Sequence, residues 1–290
     1  MRLAAVKVGG GEEIAAVVLE SGVASLAAVN DALGVDWPTD LLSLLEDGRI
    51  EDLRSWLRGL GEVVWEELAD LVIPLDLVEY APLYRRPRKL WGIGLNYVEH
   101  ADDLSETAPS EEPASFMRPD TTIIGPGEGI LLPRQSERVT GEAELGLIIG
   151  REARDVSEED APSVVAGLTA ILDMTAEDIL RRNPRYLTRA KSFDTFFSFG
   201  PQLVTLDEVG EIGDLTVATV LNGEVQRENV VSNMTFSPWS LVSFHSKVMT
   251  LLPGDVISTG TPGAVRIRDG DVLSCRINGF EPLSNPVRKT

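Results

Sequence analysis

Residues 139–150 read Val-Thr-Gly-Glu-Ala-Glu-Leu-Gly-Leu-Ile-Ile-Gly, an apolar run that carries Glu142 and Glu144. Side chains two residues apart on a strand leave the same face, so both glutamates are predicted to point one way from a buried sheet. Two neighbouring buried carboxylates repel each other, and a divalent cation removes that penalty. An all-oxygen ligand set suits Mg²⁺ or Mn²⁺ better than Zn²⁺ or copper. Taken alone, a Glu-x-Glu pair more often indicates a solvated strand edge.

A third acid strengthens the metal interpretation. Asp173 lies in a second apolar run, residues 168–178, which predicts a strand that gives way to a helix. Three acids in buried-type segments are what a hard cation requires. The sequence therefore predicts a Mg²⁺ or Mn²⁺ site formed by Glu142, Glu144 and Asp173.

Composition limits the kinds of partner. The chain has 290 residues, is 43% hydrophobic and carries a formal net charge of −20. Nucleic acids and anionic membranes are polyanions, so neither is expected to bind it. No apolar stretch approaches the roughly 20 residues of a membrane span, and the first residues lack the apolar core of a signal peptide. We expect a cytoplasmic protein. Any anionic ligand would be bound by a few positively charged side chains placed at the site.

The pattern along the chain predicts a small N-terminal α/β domain, residues 1–84, and a larger domain, residues 85–290. The boundary falls among prolines and the basic cluster at residues 85–89. In the first part we predict strands at residues 3–8 and 13–19, a helix over residues 43–57 and further helix over residues 63–71. Short strands, glycines and prolines dominate the second part, which indicates a mainly β domain.

One of the two histidines follows the first strand of the larger domain. His100 ends the segment at residues 90–100, and Asp103 lies three residues later. A carboxylate that orients an imidazole is a proton-transfer dyad. The alternative is a surface histidine beside acids. The acidic stretch at residues 101–115 is predicted to be a loop or short helix that closes over a site.

Two other residues are expected to have no part in the chemistry. His245 belongs to no ligand pattern, and it is predicted to be structural or exposed. Cys275 is the single cysteine and sits in an alternating strand pattern, where a small buried hydrophobic residue is expected.

Further polar elements occur in a fixed order along the larger domain. They are Arg118 in a Phe-Met-Arg-Pro segment, Lys191 with Asp194, and the turn Thr259-Gly260-Thr261-Pro262. Backbone amides in such a glycine-containing turn can hold a carboxylate.

Taken together, these segments resemble the fumarylacetoacetate hydrolase superfamily over residues 88–290. Asn96, Tyr97 and His100 look like its Asn-Tyr-x-x-His segment. The remaining matches are the Glu-x-Glu and aspartate ligands at Glu142, Glu144 and Asp173, the Lys-x-x-Asp element at Lys191 and Asp194, and the turn at Thr259, Gly260 and Thr261. The resemblance implies an α+β, mainly β fold: a mixed β-sandwich or roll catalytic domain with a small N-terminal domain. It also implies a Mg²⁺ or Mn²⁺ site and a homodimer or dimer of dimers.

The chain departs from the family pattern at several positions. An arginine and a glutamine that many members carry after the metal-binding aspartate are Glu177 and Leu180 here, and a family glutamate is Asp103. The frequent Phe-x-Lys-Pro lysine is Arg118, which keeps the charge and gains a bidentate fork. The positive charge of the family arginine, whose position is Glu177 here, is either supplied by another residue or missing from the site. The candidate replacements, which are alternatively a solvated basic helix face, are Arg181, Arg182, Arg185 and Arg189.

The predicted activity is metal-dependent chemistry on a small anionic 2-oxo acid. Lys191 and Arg118 would offset the negative site, the metal would stabilise the enolate, and His100 with Asp103 would move the proton. Cleavage of a C–C bond, by an acylpyruvate-type hydrolase or an oxo-acid decarboxylase, is the first expectation. The alternatives are dehydration of a sugar-derived 2-keto-3-deoxy acid, isomerisation of a 2-hydroxy-diene-dioate, and metabolite binding without turnover. Substrate contacts are expected from Asn96, Tyr97, Arg118, Asp194, Thr259, Gly260 and Thr261.

Overall fold

A computed structural model describes residues 1–61, 64–65, 68–98 and 109–290. Over these residues the protein is mixed α+β with strands predominating, as predicted. The predicted dyad of His100 and Asp103 lies outside the described residues, as does most of the predicted closing segment. The end of that segment is neither loop nor helix, because residues 114 and 115 begin a strand.

The N-terminal part contains four strands and three helices among the described residues. The strands predicted at residues 3–8 and 13–19 are confirmed as the first two. The strands are β1 (Arg2–Val8), β2 (Glu12–Leu19), β3 (Gly22–Ser25) and β4 (Val72–Pro74), and the helices are α1 (Leu26–Leu33), α2 (Leu41–Glu46) and α3 (Ile50–Gly59).

The single helix predicted over residues 43–57 is wrong. Gly48 adopts a left-handed conformation, with φ 68°, and ends α2. Such a glycine is a common helix terminator because it has no Cβ to clash. A new helix, α3, then starts at Ile50. The helix predicted over residues 63–71 lies partly outside the described residues, and its last part, Ala69–Leu71, is a 3₁₀ turn.

The larger part of the chain supplies the remaining strands and three more helices. The strands are β5 (Leu90–Gly94), β6 (Ala114–Arg118), β7 (Ile123–Ile124), β8 (Ile130–Leu132), β9 (Val139–Ile149), β10 (Val165–Ala176), β11 (Phe197–Val204), β12 (Thr216–Leu221), β13 (Glu224–Val230), β14 (Val256–Ser258), β15 (Ala264–Ile267), β16 (Val272–Ile277) and β17 (Leu283–Lys289). The helices are α4 (Glu177–Arg182), α5 (Leu187–Lys191) and α6 (Pro238–Val248).

Two sheets organise these strands. The large sheet has the order β4-β3-β2-β1-β11-β10-β9-β14-β5-β6, with β15 also paired to β9 and β7 to β11. The second sheet has the order β13-β12-β16-β17-β8. Because β1 pairs with β11, the N-terminal strands continue the large sheet of the larger part of the chain. The domain boundary near residue 84 stays a prediction.

The long central strand β9 separates the core from the site. Ala143 and Leu145 belong to the main core cluster together with Leu273 and Cys275 of the second sheet. Side chains alternate along a strand, so Glu142 and Glu144 leave the opposite face of the large sheet. The two sheets therefore form a sandwich. The predicted metal ligands lie on the face of the large sheet that points away from the second sheet.

His245 and Cys275 both lie in the core. The His245 side chain is fully buried on α6, and its Nδ1 lies 2.7 Å from the carbonyl oxygen of Leu241. Cys275 is buried in β16, and burial raises the pKa of its thiol to about 12. Both are structural, in agreement with the sequence. Within the described ranges, no helix has the length and apolar character needed to cross a membrane.

Candidate metal centre

The register of two neighbouring strands brings the three predicted ligands together. Asp173 on β10 lies directly opposite Glu142 on β9, and the next site-facing residue of β9 is Glu144. One carboxylate oxygen of each residue lies within 4.8 Å of the others. The side chains are almost completely removed from solvent, with residue exposures of 8%, 1% and 0% for Glu142, Glu144 and Asp173. The structure therefore builds the predicted carboxylate set in a buried location.

Asp173 is held on one oxygen only. Its Oδ1 accepts a hydrogen bond of 2.8 Å from Lys191 Nζ and a second one from the guanidinium of Arg118. Its Oδ2 is buried, and no hydrogen-bond donor contacts it among the described residues. A buried carboxylate oxygen without a partner is energetically unfavourable, and coordination of a cation satisfies it.

Glu142 is fixed by two neighbours on the same face. Thr175 Oγ1 donates to Glu142 Oε1 over 3.2 Å, and Lys191 Nζ donates to Glu142 Oε2 over 3.0 Å. Thr175 is two residues beyond Asp173 on β10 and so shares its face. The ammonium of Lys191 therefore links two of the three predicted ligands.

Glu144 is fixed by the terminal turn. Ser258 Oγ donates to Glu144 Oε2 over 2.5 Å, and the backbone amide of Gly260 donates to the same oxygen over 2.8 Å. Burial, followed by the negative charge of Asp173, raises the pKa of Glu144 to about 8. The turn amide thus does hold a carboxylate, but it is one that the chain itself supplies.

Two buried cations face the three acids. Burial lowers the pKa of Lys191, but the charges of Asp173 and Glu142 outweigh it and raise that pKa above its ordinary value. The Arg118 guanidinium is 1% exposed and also donates to the carbonyl oxygens of Lys191 and Phe196. Its predicted contact with substrate stays a prediction, and in this structure it orients Asp173 and the end of α5.

The local charges fit a divalent cation. Three carboxylates against Lys191 and Arg118 leave a formal charge of −1, and one divalent cation changes this to +1. The donors are all oxygens, which Mg²⁺ and Mn²⁺ prefer. The buried, unpartnered Oδ2 of Asp173 supplies an additional reason for an ion at this point.

Three of the other predicted substrate contacts, Asn96, Thr259 and Thr261, have side chains that bond to backbone carbonyl groups, and their role in substrate binding stays a prediction. The Asn96 side chain donates to the carbonyl oxygens of Thr259 and Phe236 over 2.8 and 3.0 Å. Thr259 Oγ1 donates to the carbonyl of Leu145, and Thr261 Oγ1 bonds within its own turn. These contacts shape the turn that carries Gly260.

The two remaining predicted contacts differ in exposure. Tyr97 is fully buried and forms an isolated β-bridge with Met234, whereas Asp194 is exposed. A role in substrate binding stays a prediction for both.

The arginines proposed to replace the missing family charge lie on the surface. Arg181 pairs with Glu177 and Arg182 with Asp178, both along α4, and Arg189 donates to Gln135. Glu177 is also paired with Arg138. The basic helix face is thus largely committed to ion pairs. Arg185 is exposed on the neighbouring 3₁₀ turn.

Sequence reasoning missed Thr175 and Ser258, which bind two of the ligands. Thr175 follows Asp173 by two residues on a predicted strand, so period-2 alternation was a sufficient signal for it. Ser258 immediately precedes the terminal turn, and no pattern in the sequence indicated that this turn would reach β9. Long-range strand pairing decides that contact.

Comparison with known proteins identifies the same family that the sequence motifs resemble. The family described as "Fumarylacetoacetate (FAA) hydrolase C-terminal" matches residues 89–288. An uncharacterized protein of Archaeoglobus fulgidus is 41% identical over 218 residues, which cover 75% of this chain and 85% of the relative. Human "Oxaloacetate tautomerase FAHD2A, mitochondrial" is 35% identical over 225 residues, covering 74% and 71%.

A solved structure matches nearly the whole length of both chains. It is maleylpyruvate hydrolase from Sphingobium sp. SYK-6 in complex with manganese(II) and pyruvate, with a TM-score of 0.79 and 29% sequence identity. The match covers 100% of this chain and 99% of that one. The N-terminal part of the fold is therefore shared as well as the larger part that follows it.

Proposed function

Because the chain belongs to the fumarylacetoacetate hydrolase family, we propose that it is a divalent-metal-dependent enzyme that cleaves a C–C bond of an acylpyruvate-type 2-oxo acid. One observation carries this proposal. Three buried carboxylates, Glu142, Glu144 and Asp173, converge within 4.8 Å and face the buried cations Lys191 and Arg118. An oxygen-only set of this kind with a net negative charge is suited to a hard divalent ion.

The metal would be held by Glu142, Glu144 and Asp173. When bound, Mg²⁺ or Mn²⁺ supplies a Lewis acid that stabilises negative charge on the 2-oxo oxygen of a substrate. Lys191 holds Glu142 and Asp173 next to each other, since one ammonium donates to both. Arg118 donates to the same oxygen of Asp173, Oδ1, and leaves Oδ2 available.

Proton transfer is assigned to His100, with Asp103 as the residue that orients it. Both lie outside the described residues, so this assignment rests on the sequence. An imidazole near its ordinary pKa can take a proton from water, which then attacks the acyl carbonyl, and later return a proton to the departing carbon. Cleavage by this route yields pyruvate and a carboxylic acid.

The structural relative supports C–C hydrolysis as the first choice. The matched maleylpyruvate hydrolase holds manganese(II) and pyruvate, and pyruvate is the product expected from an acylpyruvate. The match extends over the N-terminal part, which the C-terminal family profile does not include.

Keto–enol tautomerisation of a 2-oxo acid is the second candidate. It is favoured by the human relative, whose name is oxaloacetate tautomerase and which is 35% identical over 74% of this chain. Both reactions develop negative charge on the 2-oxo oxygen, so the same carboxylates and cations serve them. Tautomerisation needs proton transfer but no attacking water.

A substrate panel with purified protein tests the proposal. We expect Mn²⁺- or Mg²⁺-dependent turnover of acylpyruvates, measured as pyruvate release, or of oxaloacetate, measured as loss of its enol absorbance. In the same panel, 2-keto-3-deoxypentonates test the dehydratase alternative, and a 2-hydroxy-diene-dioate tests the isomerase alternative. Glu142→Ala and His100→Ala should abolish turnover. Glu137→Ala is the matched control, because Glu137 is an exposed glutamate shortly before β9.

Two results would contradict the proposal. Turnover that persists after chelation of metal and in Glu142→Ala would remove the metal from the reaction. Metal binding without turnover of any panel member would favour a protein that binds a metabolite and does not transform it.

A homodimer or dimer of dimers remains part of the proposal. Sedimentation equilibrium of the purified chain gives the number of subunits directly, and a monomeric species across micromolar concentrations would contradict it.

A further inference from the structure

Two strands flank Glu144, and only one of them can supply hydrogen-bond donors to its carboxylate. On β10, the residue directly opposite Glu144 is Ile171, whose side chain has no polar atom. On β14, Ser258 lies opposite Gly146, which is two residues beyond Glu144 on the same face of β9. Of the two neighbouring strands, β14 and the turn that follows it are therefore the ones that can support this carboxylate.

Gly146 leaves the hydroxyl of Ser258 free to bind Glu144. A Cβ at Gly146 would lie 2.4 Å from Cδ1 of Ile171, so the apolar Ile171 side chain covers this position. Because Gly146 has no side chain, no polar group at the position opposite Ser258 competes for the hydroxyl. Diagonal neighbours on one face of a sheet are within reach of each other, and Glu144 is the diagonal neighbour of Ser258.

Two donors from this side converge on a single oxygen of Glu144. Ser258 Oγ donates to Oε2 over 2.5 Å, and the backbone amide of Gly260 donates to Oε2 over 2.8 Å. Ser258 and Glu144 are both buried, and a hydroxyl-to-carboxylate bond of this length is one of the stronger kinds. Within the described part of the chain, the other oxygen, Oε1, accepts no hydrogen bond. Oε1 is therefore the oxygen left for a cation.

Glu144 differs from the other two predicted ligands because no cation is bonded to it. The ammonium of Lys191 donates to both Glu142 and Asp173. Glu144 forms no ion pair among the residues that the structure describes, and Ser258 is the one side chain there that donates to it. The orientation of Glu144 thus depends on neutral donors, of which the Ser258 hydroxyl is the closest.

We infer that Ser258 is a positioning residue for the metal. Its hydroxyl, together with the amide of Gly260, holds Oε2 of Glu144 and leaves Oε1 to bind the ion. This inference rests on the metal site of the proposed function and adds a residue that controls its affinity. Removal of a group that orients a metal ligand typically weakens metal binding about 10- to 100-fold.

Thr175 provides a matched comparison within the same site. Its hydroxyl also donates to a predicted ligand, Glu142, but over 3.2 Å, and Lys191 holds that ligand as well. In calorimetric titration with Mn²⁺ alone, we expect Ser258→Ala to weaken binding about 10-fold or more. Thr175→Val, which keeps the shape of the side chain, should weaken binding by no more than about 3-fold because the charged donor to Glu142 remains.

Two further variants separate positioning from general loss of stability. Ser246→Ala deletes another buried hydroxyl, which donates to the carbonyl of Ser243 on α6 over 2.8 Å. Urea unfolding of the metal-free proteins should show a loss of stability in Ser246→Ala, and its Mn²⁺ affinity should equal that of the wild type. Ser258→Cys keeps a side chain of similar size with a weak donor, so its Mn²⁺ affinity should lie between those of the wild type and Ser258→Ala. If Ser258→Ala does not fold, Ser258→Cys supplies the test.

The outcomes separate this inference from the proposed function. The role of Ser258 alone is overturned if the wild type binds Mn²⁺ and the Ser258 variants bind it as tightly or more tightly. Equal weakening in Ser258→Ala and in Thr175→Val or Ser246→Ala overturns it as well. Absence of Mn²⁺ binding to the wild-type protein overturns both proposals.

Discussion

The backbone amide of Gly260 donates a 2.8 Å hydrogen bond to Oε2 of Glu144, across 116 residues of chain. Gly260 has φ +96°, a conformation that residues with a Cβ rarely adopt. A Cβ at this position would lie 2.8 Å from Asn96 Cβ and 3.2 Å from the carbonyl oxygen of Ile93. The Asn96 side chain in turn holds the carbonyl of Thr259. The orientation of one predicted metal ligand therefore depends on a turn that only glycine can form.

Gly260→Ala is expected to lower the free energy of unfolding by about 2 kcal/mol or more and to weaken Mn²⁺ binding. The penalty combines left-handed backbone strain with the close contact to Asn96. Urea unfolding, with and without Mn²⁺, measures both effects. Gly270→Ala is the matched control, because Gly270 has φ +89° and no atom within 4 Å of the added Cβ. Equal losses in the two variants would show that the contact with Asn96 has no consequence.

Asp173→Asn should weaken Mn²⁺ binding at least about 100-fold while it also destabilises the metal-free protein. The substitution removes one anionic ligand and leaves Lys191 and Arg118 with one partner fewer in a buried environment, a change that costs about 3–5 kcal/mol in comparable pairs. Calorimetric Mn²⁺ titration and urea unfolding give the two quantities. Asp178→Asn, in the first turn of α4 and paired with Arg182, is the control and should leave Mn²⁺ affinity unchanged. Retained Mn²⁺ affinity in Asp173→Asn would contradict the assignment of this ligand.

Local patterns in the sequence were sufficient to predict which face of the strand the two glutamates share and where the strand that carries Asp173 ends. Alternation over residues 139–149 placed Glu142 and Glu144 on one face, and both are buried there. The predicted change from strand to helix after Asp173 occurs at Glu177. These features depend on residues that are close together in the chain, so a pattern in the sequence is enough to predict them.

Contacts between distant segments could not be predicted in the same way. The sequence suggested that the terminal turn holds a carboxylate, but the hydrogen bond to Glu144 follows from the pairing of β14 with β9. The break at Gly48 was missed because apolar residues keep helical spacing across it.

Arg118→Lys and Arg118→Met should differ in their response to metal. Arg118 donates to Asp173 and to the carbonyl oxygens of Lys191 and Phe196, and an ammonium cannot reproduce that planar fork. We expect Arg118→Lys to lose about 1–2 kcal/mol of unfolding free energy and Arg118→Met to lose more.

Saturating Mn²⁺ should recover part of the loss in Arg118→Met, because the ion compensates the charge of Asp173. Urea unfolding at several Mn²⁺ concentrations measures this recovery. An identical loss at all concentrations would contradict an electrostatic role for Arg118.

His245 should make the stability of the protein depend on pH. Its ring is buried between Trp91, at 4.6 Å, and Phe244, at 5.2 Å. Nδ1 donates to the carbonyl of Leu241, and Nε2 has no partner within the described part of the chain. Burial lowers the pKa of His245 below its ordinary value of about 6.5.

A depressed pKa in the folded state means that the unfolded chain takes up a proton first as the pH falls. The contribution of neutral His245 to stability is therefore complete above about pH 6.5 and is lost as the pH decreases toward the folded-state pKa, by up to about 1.4 kcal/mol per unit of pKa difference. His245→Phe keeps the ring packing and removes the titration. Urea unfolding between pH 7.5 and 5 should show a steeper loss of stability in the wild-type protein than in the variant. Parallel pH profiles would show that His245 is solvated or protonated in the folded state.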